Sequence, residues 1–505
     1  MKKLLACLLA VAALIAAPAQ RPKLVLAVVI DQFRYDYLTR YRTEYHGGFD
    51  RLLTQGAVFT NAHYEHFPTV TAVGHSTILS GAIPAISGII GNDWFDRAEG
   101  KSVTSVSDNN TQLVGAPGPR FGASPRRMLV DDLGDELKIA SGGKSHVIGI
   151  SLKDRAAILP AGHMADGAYW FDTITGNFVS STFYFPDLPG WVKDFNSSRP
   201  GDQYRGVTWL NHTMTQELPR LYSEVDASPF GNELVERFAE RAIEAEQLGR
   251  HDATDLLSVS FSSNDYVGHQ LGPDSPEAHE VSLRTDTALA KLFDAVDKAV
   301  GMQNVIVVLT ADHGVAPMPE LNAQRRMPGG RLPPGEISNA VQAALTKKYG
   351  EGHWLTSGAE HSIYLNLELI AQKNLDRAEV NRTAAAAALE QPHVFRVYTR
   401  EQLMGGAALD DHVGRRVMNG YYVRRGADIE VLLEPYWIFS RTGATHGTTF
   451  DYDTHVPVLF MGPGIRAGHY DGNIAVNDIA PTLATMLAAE TPSGSVGRVL
   501  TEMLQ

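Results

Sequence analysis

The sequence predicts an α/β fold with a central, mostly parallel β-sheet flanked by helices. Several short runs of β-branched residues end abruptly in polar residues, and continuous apolar runs of this length are typical of strands buried on both faces. Helical stretches lie between them, and the apolar spacing of residues 275–300 fits a period of 3.6. This alternation favours layered α/β architecture. The predicted strands are 23–31, 145–151, 255–265, 304–313 and 455–462.

Two regions interrupt this alternation. Residues 165–210 are aromatic, rich in turn residues and without a clean period, so we expect a cap or loop excursion near the functional site. Residues 318–440 combine helical stretches with strand candidates and predict a small inserted α+β subdomain. Its expected helices are 336–348 and 377–390, and its expected strands lie near 361–367 and 393–398.

The first twenty residues have the pattern of a secretory signal peptide. Two lysines precede an apolar stretch, and Ala17-Pro18-Ala19 offers a small-residue cleavage site. We therefore expect residues 1–19 to be removed and the protein to be periplasmic or secreted, with residues 20–505 forming one large catalytic unit. No second apolar run approaches the ~20 residues that a membrane span requires.

Composition excludes some functional classes. The 505 residues are 44% apolar, as in a globular protein, and the only cysteine lies in the predicted signal peptide, so the mature chain would form no disulfide. The net charge is -13 without any basic block. Nucleic acid is therefore disfavoured as a bulk partner, because such binding draws on clustered lysine and arginine.

Acidic and imidazole side chains stand where predicted strands end, which is where open α/β sheets bind ligands. Taken singly, an aspartate after a strand is usually a turn or cap residue. Together, three carboxylates and three imidazoles without thiolate suit Zn²⁺ or a related divalent ion, and six ligands favour the two-metal type of phosphoryl-transfer site. The six are Asp31, Asp265, His269, Asp312, His313 and His446.

A pair of threonines precedes a small, apolar, helix-like segment in FPTVTAVGHSTILSG, residues 67–81. Such a pair is usually a helix N-cap. A threonine hydroxyl is a poor nucleophile unless a base or a metal lowers its pKa. If Thr71 rather than Thr69 begins the helix, a nearby metal and the helix dipole would both favour its alkoxide.

Five ordered motifs resemble the alkaline phosphatase superfamily. The similarity is to the branch shared by nucleotide pyrophosphatases/phosphodiesterases and threonine-nucleophile bacterial alkaline phosphatases. Residues 67–96 resemble its nucleophile block, and DYVGHQLGP, TADHGV and THG resemble its metal blocks. VNDIAPTLA, residues 476–484, resembles its C-terminal helix, and the whole resemblance runs from residue 23 to about residue 490.

The resemblance implies a set of site residues. Thr71 would be the nucleophile, and Asn92 would bind a phosphate oxygen. The implied cofactors are two Zn²⁺ ions, with other divalent ions left open. One ion would be held by Asp265, His269 and His446, and the other by Asp31, Asp312 and His313, with Thr71 bridging toward the second. Three further histidines near these motifs are interpreted as structural or supporting groups: His63, His75 and His455.

Lys153 and Arg155 in SLKDRAAI bear on the choice between monoester and diester. Taken without the resemblance, the two residues indicate a solvated, charged turn. Their spacing of two residues would nevertheless place both side chains on one side of an extended segment. The block resembles the Lys-x-Arg of the threonine-nucleophile phosphatases, which the diesterases lack. Both cations would bind the extra charged oxygen of a monoester. We therefore expect an alkaline phosphatase that hydrolyses small-molecule phosphate monoesters through a phosphothreonine intermediate.

Two alternatives stay open from the sequence. The first is a phosphodiesterase or nucleotide pyrophosphatase with the same two-metal site. The second is a non-catalytic metal- or phosphate-binding protein of the periplasm. A sulfatase is disfavoured because the mature chain has no cysteine for the usual oxidised nucleophile, and a mutase would need a serine and manganese. The physiological substrate and the oligomeric state are left open.

Overall fold

A twelve-stranded mixed sheet forms the centre of the computed structural model, which describes residues 21–358, 361–406 and 411–505. The predicted signal peptide therefore lies outside the described residues. In spatial order the strands are Gly468–Tyr470, Ala57–His63, His455–Met461, Val305–Thr310, Leu24–Ile30, Asp255–Phe261, Val147–Ser151, Gly167–Asp172, Asn177–Ser181, Ser107–Val114 and Phe121–Ala123, and Ile474–Ala475 also pairs with Ala57–His63.

The middle of this sheet is parallel. Leu24–Ile30 pairs in parallel with both Asp255–Phe261 and Val305–Thr310, and all seven of its residues are buried. Burying an aliphatic side chain of this kind contributes about 1.5–3 kcal/mol, which is why such runs occupy the sheet centre. His455–Met461 is antiparallel to its neighbour Val305–Thr310. The prediction of a mostly parallel sheet is confirmed.

Helices flank the sheet, and the longest, Pro276–Val300, agrees with the predicted 275–300. Ser275 caps its N-terminus by accepting a hydrogen bond from the backbone of Ala278, and Gly301 ends it with a positive φ of 81°. The other helices of seven or more residues are Gly48–Gln55, Thr71–Ser80, Leu133–Ser141, Gly190–Ser197, Arg220–Asp226, Pro229–Ala245, Ser263–Leu271, Glu336–Tyr349, Arg377–Leu389, His412–Gly420 and Ile479–Leu487.

The aromatic stretch 165–210 is only partly an excursion. Gly167–Asp172 and Asn177–Ser181 belong to the central sheet, so the expected cap is wrong for these residues. Tyr169 and Phe178 are fully buried, with ring centroids 5.4 and 4.0 Å from that of Phe238 in the helix Pro229–Ala245. Burial against both strand and helix explains why the stretch lacks an alternating pattern.

Within residues 318–440, four antiparallel strands form a second sheet in the order Leu355–Gly358, Ser362–Leu365, Ile429–Leu433 and Val394–Thr399. The helices Glu336–Tyr349 and Arg377–Leu389 agree with the sequence expectation to within one residue at each end. Trp354, Ile363, Val380 and Val431 belong to an apolar cluster separate from that of the central sheet.

In the part of the chain that the structure describes, no helix is both long enough and apolar enough to cross a membrane.

Candidate active site

The carboxyl ends of the central strands bring the six predicted metal ligands together in two groups. Within each group the ligand atoms lie within 4.8 Å of one another. The His313 ring of one group stacks on the His446 ring of the other, with centroids 3.5 Å apart, so the two groups adjoin. The groups are Asp265, His269 and His446, and Asp31, Asp312 and His313.

Strand ends place three of these ligands as expected, namely Asp31, Asp312 and His313, but Asp265 differs. Asp31 directly follows Leu24–Ile30, and Asp312 comes two residues after Val305–Thr310. The strand expected over 255–265 ends at Phe261, and Asp265 lies in the first turn of the helix Ser263–Leu271. The i,i+4 spacing puts His269 on the same helix face, with its Nε2 3.1 Å from Asp265 Oδ1.

The three imidazoles are held with one nitrogen free for a metal. Each Nδ1 lies within hydrogen-bond distance of a backbone carbonyl, which only accepts, so Nδ1 donates and the Nε2 of the neutral ring carries the lone pair. The Nε2 atoms of His269 and His446 are 3.2 Å apart. The carbonyls belong to Ala444 for His269 (2.7 Å), Thr69 for His446 (2.8 Å) and Gly314 for His313 (2.9 Å).

The second group contains unpaired polar atoms. Asp31 Oδ1, Asp312 Oδ2 and His313 Nε2 are buried without a hydrogen-bond partner among the described residues. His313 Nε2 lies 3.6 Å from that Asp31 oxygen and 3.5 Å from that Asp312 oxygen. Burial, with the charges of Asp265 and Asp312, raises the pKa of Asp31 well above its usual range. Buried lone pairs gathered in this way fit a divalent cation.

The structure distinguishes the two threonines. Thr71 is the first residue of the helix Thr71–Ser80, after the extended Val70. The Thr69 hydroxyl donates a hydrogen bond to the carbonyl of Thr448 at 2.9 Å, whereas the Thr71 hydroxyl makes no hydrogen bond with the described residues. Thr71 is therefore the threonine with a free hydroxyl at a helix N-terminus, where the dipole favours negative charge.

The start of this helix packs against the second group. His75, one turn after Thr71, has its Nδ1 2.8 Å from the Thr71 carbonyl and 3.3 Å from Asp312 Oδ2. Gly74 allows the close approach, since a β-carbon there would lie 2.1 Å from the backbone oxygen of Asp312. Helix and metal group are thus in direct backbone contact.

We expect Gly74→Ala to lower both stability and activity, because the added carbon forces the helix away from Asp312. Overpacking of this kind costs about 1–3 kcal/mol. Thermal unfolding and phosphate release would measure both effects. Gly190→Ala is the matched control, since a β-carbon at Gly190 meets nothing within 4 Å. Equal unfolding temperatures for the two variants would contradict the close packing.

Asn92 lies beside Thr71. Its Oδ1 accepts a hydrogen bond from the backbone N–H of Ala72 at 2.8 Å. The side-chain NH₂ is therefore left to donate elsewhere, one residue from the free threonine hydroxyl.

Lys153 and Arg155 are not a solvated turn, and they do not share one extended segment. Lys153 is extended, and Arg155 lies in the short helix Asp154–Ile158. The Lys153 ammonium is 2.6 Å from Asp31 Oδ2 and 2.5 Å from Asp265 Oδ2. Burial opposes the charge on Lys153, but these carboxylates outweigh it and raise its pKa. The Arg155 Nε is buried without a partner among the described residues.

Sequence reasoning missed two residues that hold the site. Gln32 donates from its backbone to Asp312 Oδ1 at 3.1 Å and from its side chain to Asp265 Oδ1 at 2.7 Å, with a left-handed φ of 59°. Arg416 donates to the carbonyl of Thr449, next to the His446 loop, at 2.6 Å. The position of Gln32 directly after Asp31 was a usable signal, whereas nothing near Arg416 in the sequence points to the site.

Comparison with known proteins agrees with this geometry. Residues 25–455 match the family "Type I phosphodiesterase / nucleotide pyrophosphatase". The chain is 37% identical to alkaline phosphatase PafA of Elizabethkingia meningoseptica, with 96% of this chain and 95% of that protein covered. It is 37% identical to alkaline phosphatase PhoV of Synechococcus elongatus, with 96% and 93% covered.

A solved structure is also similar. The crystal structure of wild-type PafA superposes with a TM-score of 0.91 at 36% identity, covering 97% of this chain and all of that one. The fold and the family indicated by the sequence motifs are thereby confirmed. The chain belongs to the type I phosphodiesterase/nucleotide pyrophosphatase family.

Proposed function

We propose that this protein is an alkaline phosphatase, a metal-dependent hydrolase of phosphate monoesters that acts through a phosphothreonine at Thr71. The observation that carries the proposal is the free Thr71 hydroxyl at a helix N-terminus that packs on Asp312, a member of one of two adjoining metal-binding groups. The names of the similar proteins PafA and PhoV support the same activity.

Two divalent ions would occupy the two groups, and the mixture of carboxylate and imidazole ligands favours zinc. Bound there, such ions supply Lewis acidity that lowers the pKa of a hydroxyl or a water molecule and stabilises charge on the reacting oxygens. The protein holds the ligands for this purpose: three backbone carbonyls fix the histidine rings, and Gln32 and Lys153 fix the carboxylates.

The reaction proceeds in two displacements. Thr71 Oγ gives up its proton to solvent and attacks phosphorus, and the bond from phosphorus to the leaving oxygen breaks. The leaving oxygen takes a proton from solvent and departs as an alcohol, which balances the proton lost by Thr71. Water then attacks the phosphothreonine, the bond between phosphorus and Thr71 Oγ breaks, and inorganic phosphate is released. The helix N-terminus and the Asn92 amide stabilise negative charge on the phosphoryl oxygens.

Lys153 and Arg155 would select the doubly charged monoester. The ammonium of Lys153 has three N–H donors, of which two meet carboxylates, so one is left for a phosphate oxygen. The guanidinium of Arg155 has an unpaired Nε and can bond two oxygens together.

The test compares matched aryl phosphate monoesters and diesters. We expect a higher kcat/KM for the monoester, and we expect Arg155→Met to lower the monoester value by about 10- to 100-fold while changing the diester value little, since a hydrogen bond to a charged group contributes about 1.5–3 kcal/mol. A higher kcat/KM for the diester in the unmodified protein would favour a phosphodiesterase of the same family instead.

We also propose, from the N-terminal pattern, that the protein is exported to the periplasm or secreted. Comparing the N-terminal residue of protein isolated from its source with Gln20 tests this proposal. A chain that retains Met1 and stays with the cytosolic fraction would overturn it.

A further inference from the structure

Lys153 connects the two metal-binding groups. Its ammonium lies between a carboxylate of each, at 2.6 Å from Asp31 Oδ2 and 2.5 Å from Asp265 Oδ2, and its side chain is 2% exposed. Among the described residues, the guanidinium of Arg155, the other cation of the same motif, pairs with the carboxylate of its neighbour Asp154 alone, at 3.6 Å. Lys153 is thus the cation that touches both groups directly.

The two oxygens of each carboxylate have different surroundings. Asp265 Oδ1 faces His269 Nε2 at 3.1 Å and accepts from Gln32, while Oδ2 faces the ammonium. The two oxygens of Asp31 also have different neighbours: Oδ1 lies 3.6 Å from His313 Nε2, and Oδ2 contacts the ammonium. The ammonium therefore leaves the histidine-facing oxygens available to a metal, and a metal bound there would lie close to a buried positive charge.

We propose that Lys153 stabilises the metal-free protein and lowers the affinity of both groups for divalent cations, so that it tunes metal occupancy. The inference rests on the proposed function only in that the two groups bind cations. Among the described residues, the ammonium of Lys153 is the one that contacts both buried carboxylates, and each arriving divalent ion must overcome its repulsion. Because the same ammonium touches both groups, it couples their occupancies.

Removing the charge of Lys153 has two opposing effects on the affinity for divalent cations, and their relative sizes decide whether the affinity rises or falls. Losing the ammonium frees the carboxylates to rotate, which weakens binding by the entropy of fixing a short side chain. It also removes the repulsion between a single and a double charge a few ångströms apart in a buried site, which is the larger effect. Asp265 in addition keeps its hydrogen bond from Gln32.

The test titrates the metal-free full chain with Zn²⁺ in competition with a chromogenic chelator. Lys153→Gln removes the charge but keeps two N–H donors, and we expect its Kd for zinc to be at least tenfold lower than that of the unmodified protein. Its metal-free form should unfold at a lower temperature. Lys153→Arg, which keeps the charge, and Arg155→Gln, the matched control, should leave the Kd within twofold.

An unchanged or weaker zinc affinity for Lys153→Gln overturns the proposal. If that variant does not fold without metal, it is refolded with zinc and the rate of chelator-driven zinc release is measured. Slower release than from the unmodified protein supports the proposal, and equal or faster release overturns it. None of these measurements uses a phosphate ester, so a failure of the proposed phosphatase activity would be recorded separately.

Discussion

Replacing Thr71 by alanine is expected to abolish phosphate-ester hydrolysis while leaving the metals bound. The hydroxyl that would attack phosphorus is lost, and losing a catalytic nucleophile lowers kcat by roughly 10³-fold or more. The six carboxylate and imidazole ligands of the two groups are all kept, so the metal content should stay at that of the unmodified protein. Phosphate release and elemental analysis would measure the two quantities on the same sample.

Thr69→Val is the matched control for this substitution. It removes the hydrogen bond to the carbonyl of Thr448, which should cost about 1 kcal/mol of stability, but it leaves the Thr71 hydroxyl in place. We expect activity to survive in this variant. A third variant, Thr71→Ser, keeps a hydroxyl and should retain part of the activity.

Trapping the intermediate provides a second readout. Brief incubation of the unmodified protein with labelled monoester, followed by acid quenching, should leave label on the peptide that contains Thr71, and Thr71→Ala should carry none. Full turnover by Thr71→Ala would refute Thr71 as the nucleophile. Absence of turnover in the unmodified protein as well would instead favour the non-catalytic binding protein.

Removing the metals is expected to abolish activity and to lower the unfolding temperature. Metals that bind only the folded chain stabilise it by about 2.7 kcal/mol per site at a concentration one hundred times Kd. Their removal also leaves three buried aspartates, of which Asp31 and Asp265 contact the ammonium of Lys153. Chelation followed by thermal unfolding and a turnover assay measures both effects. Adding Zn²⁺ back should restore the activity and the unfolding temperature.

A pair of histidine variants distinguishes the predicted metal-binding histidines from histidines that only support the structure. His446→Gln should lose metal and activity, because its Nε2 is one of the atoms gathered in the first group. His455→Gln is the matched control, since the Nε2 of His455 is already taken by the carbonyl of Thr60 at 2.9 Å. Activity that persists after the metal content has fallen below detection would refute a metal-dependent mechanism.

The sequence by itself determined the core of the fold and most of the ligands. Runs such as Leu24–Ile30 carry their own signal, because a strand buried on both faces must be apolar throughout. Their polar ends then had to meet at one edge of a parallel sheet, which is where Asp31 and Asp312 lie. Motif resemblance added the family and the division of the ligands into two groups.

The hydrophobic periodicity of the sequence failed to predict elements that are buried on both faces, because such elements show no alternation of apolar and polar residues. The aromatic residues of Gly167–Asp172 show neither strand nor helix period, and only their pairing with Val147–Ser151 assigns them to the sheet. In the same way, the end of the strand at Phe261 and the turn into the helix of Asp265 depend on neighbouring elements, which the apolar run does not reveal.

Only the tertiary structure decided which groups are free and which are paired. The local sequence does not distinguish the hydroxyls of Thr69 and Thr71. The Thr69 hydroxyl is occupied because it donates to the carbonyl of Thr448, a residue 379 positions away. The partners of Lys153 lie 122 and 112 positions from it. Local propensity reflects interactions within a few turns of chain, whereas hydrogen-bond partners at such separations are set by strand order and packing, which no single segment encodes.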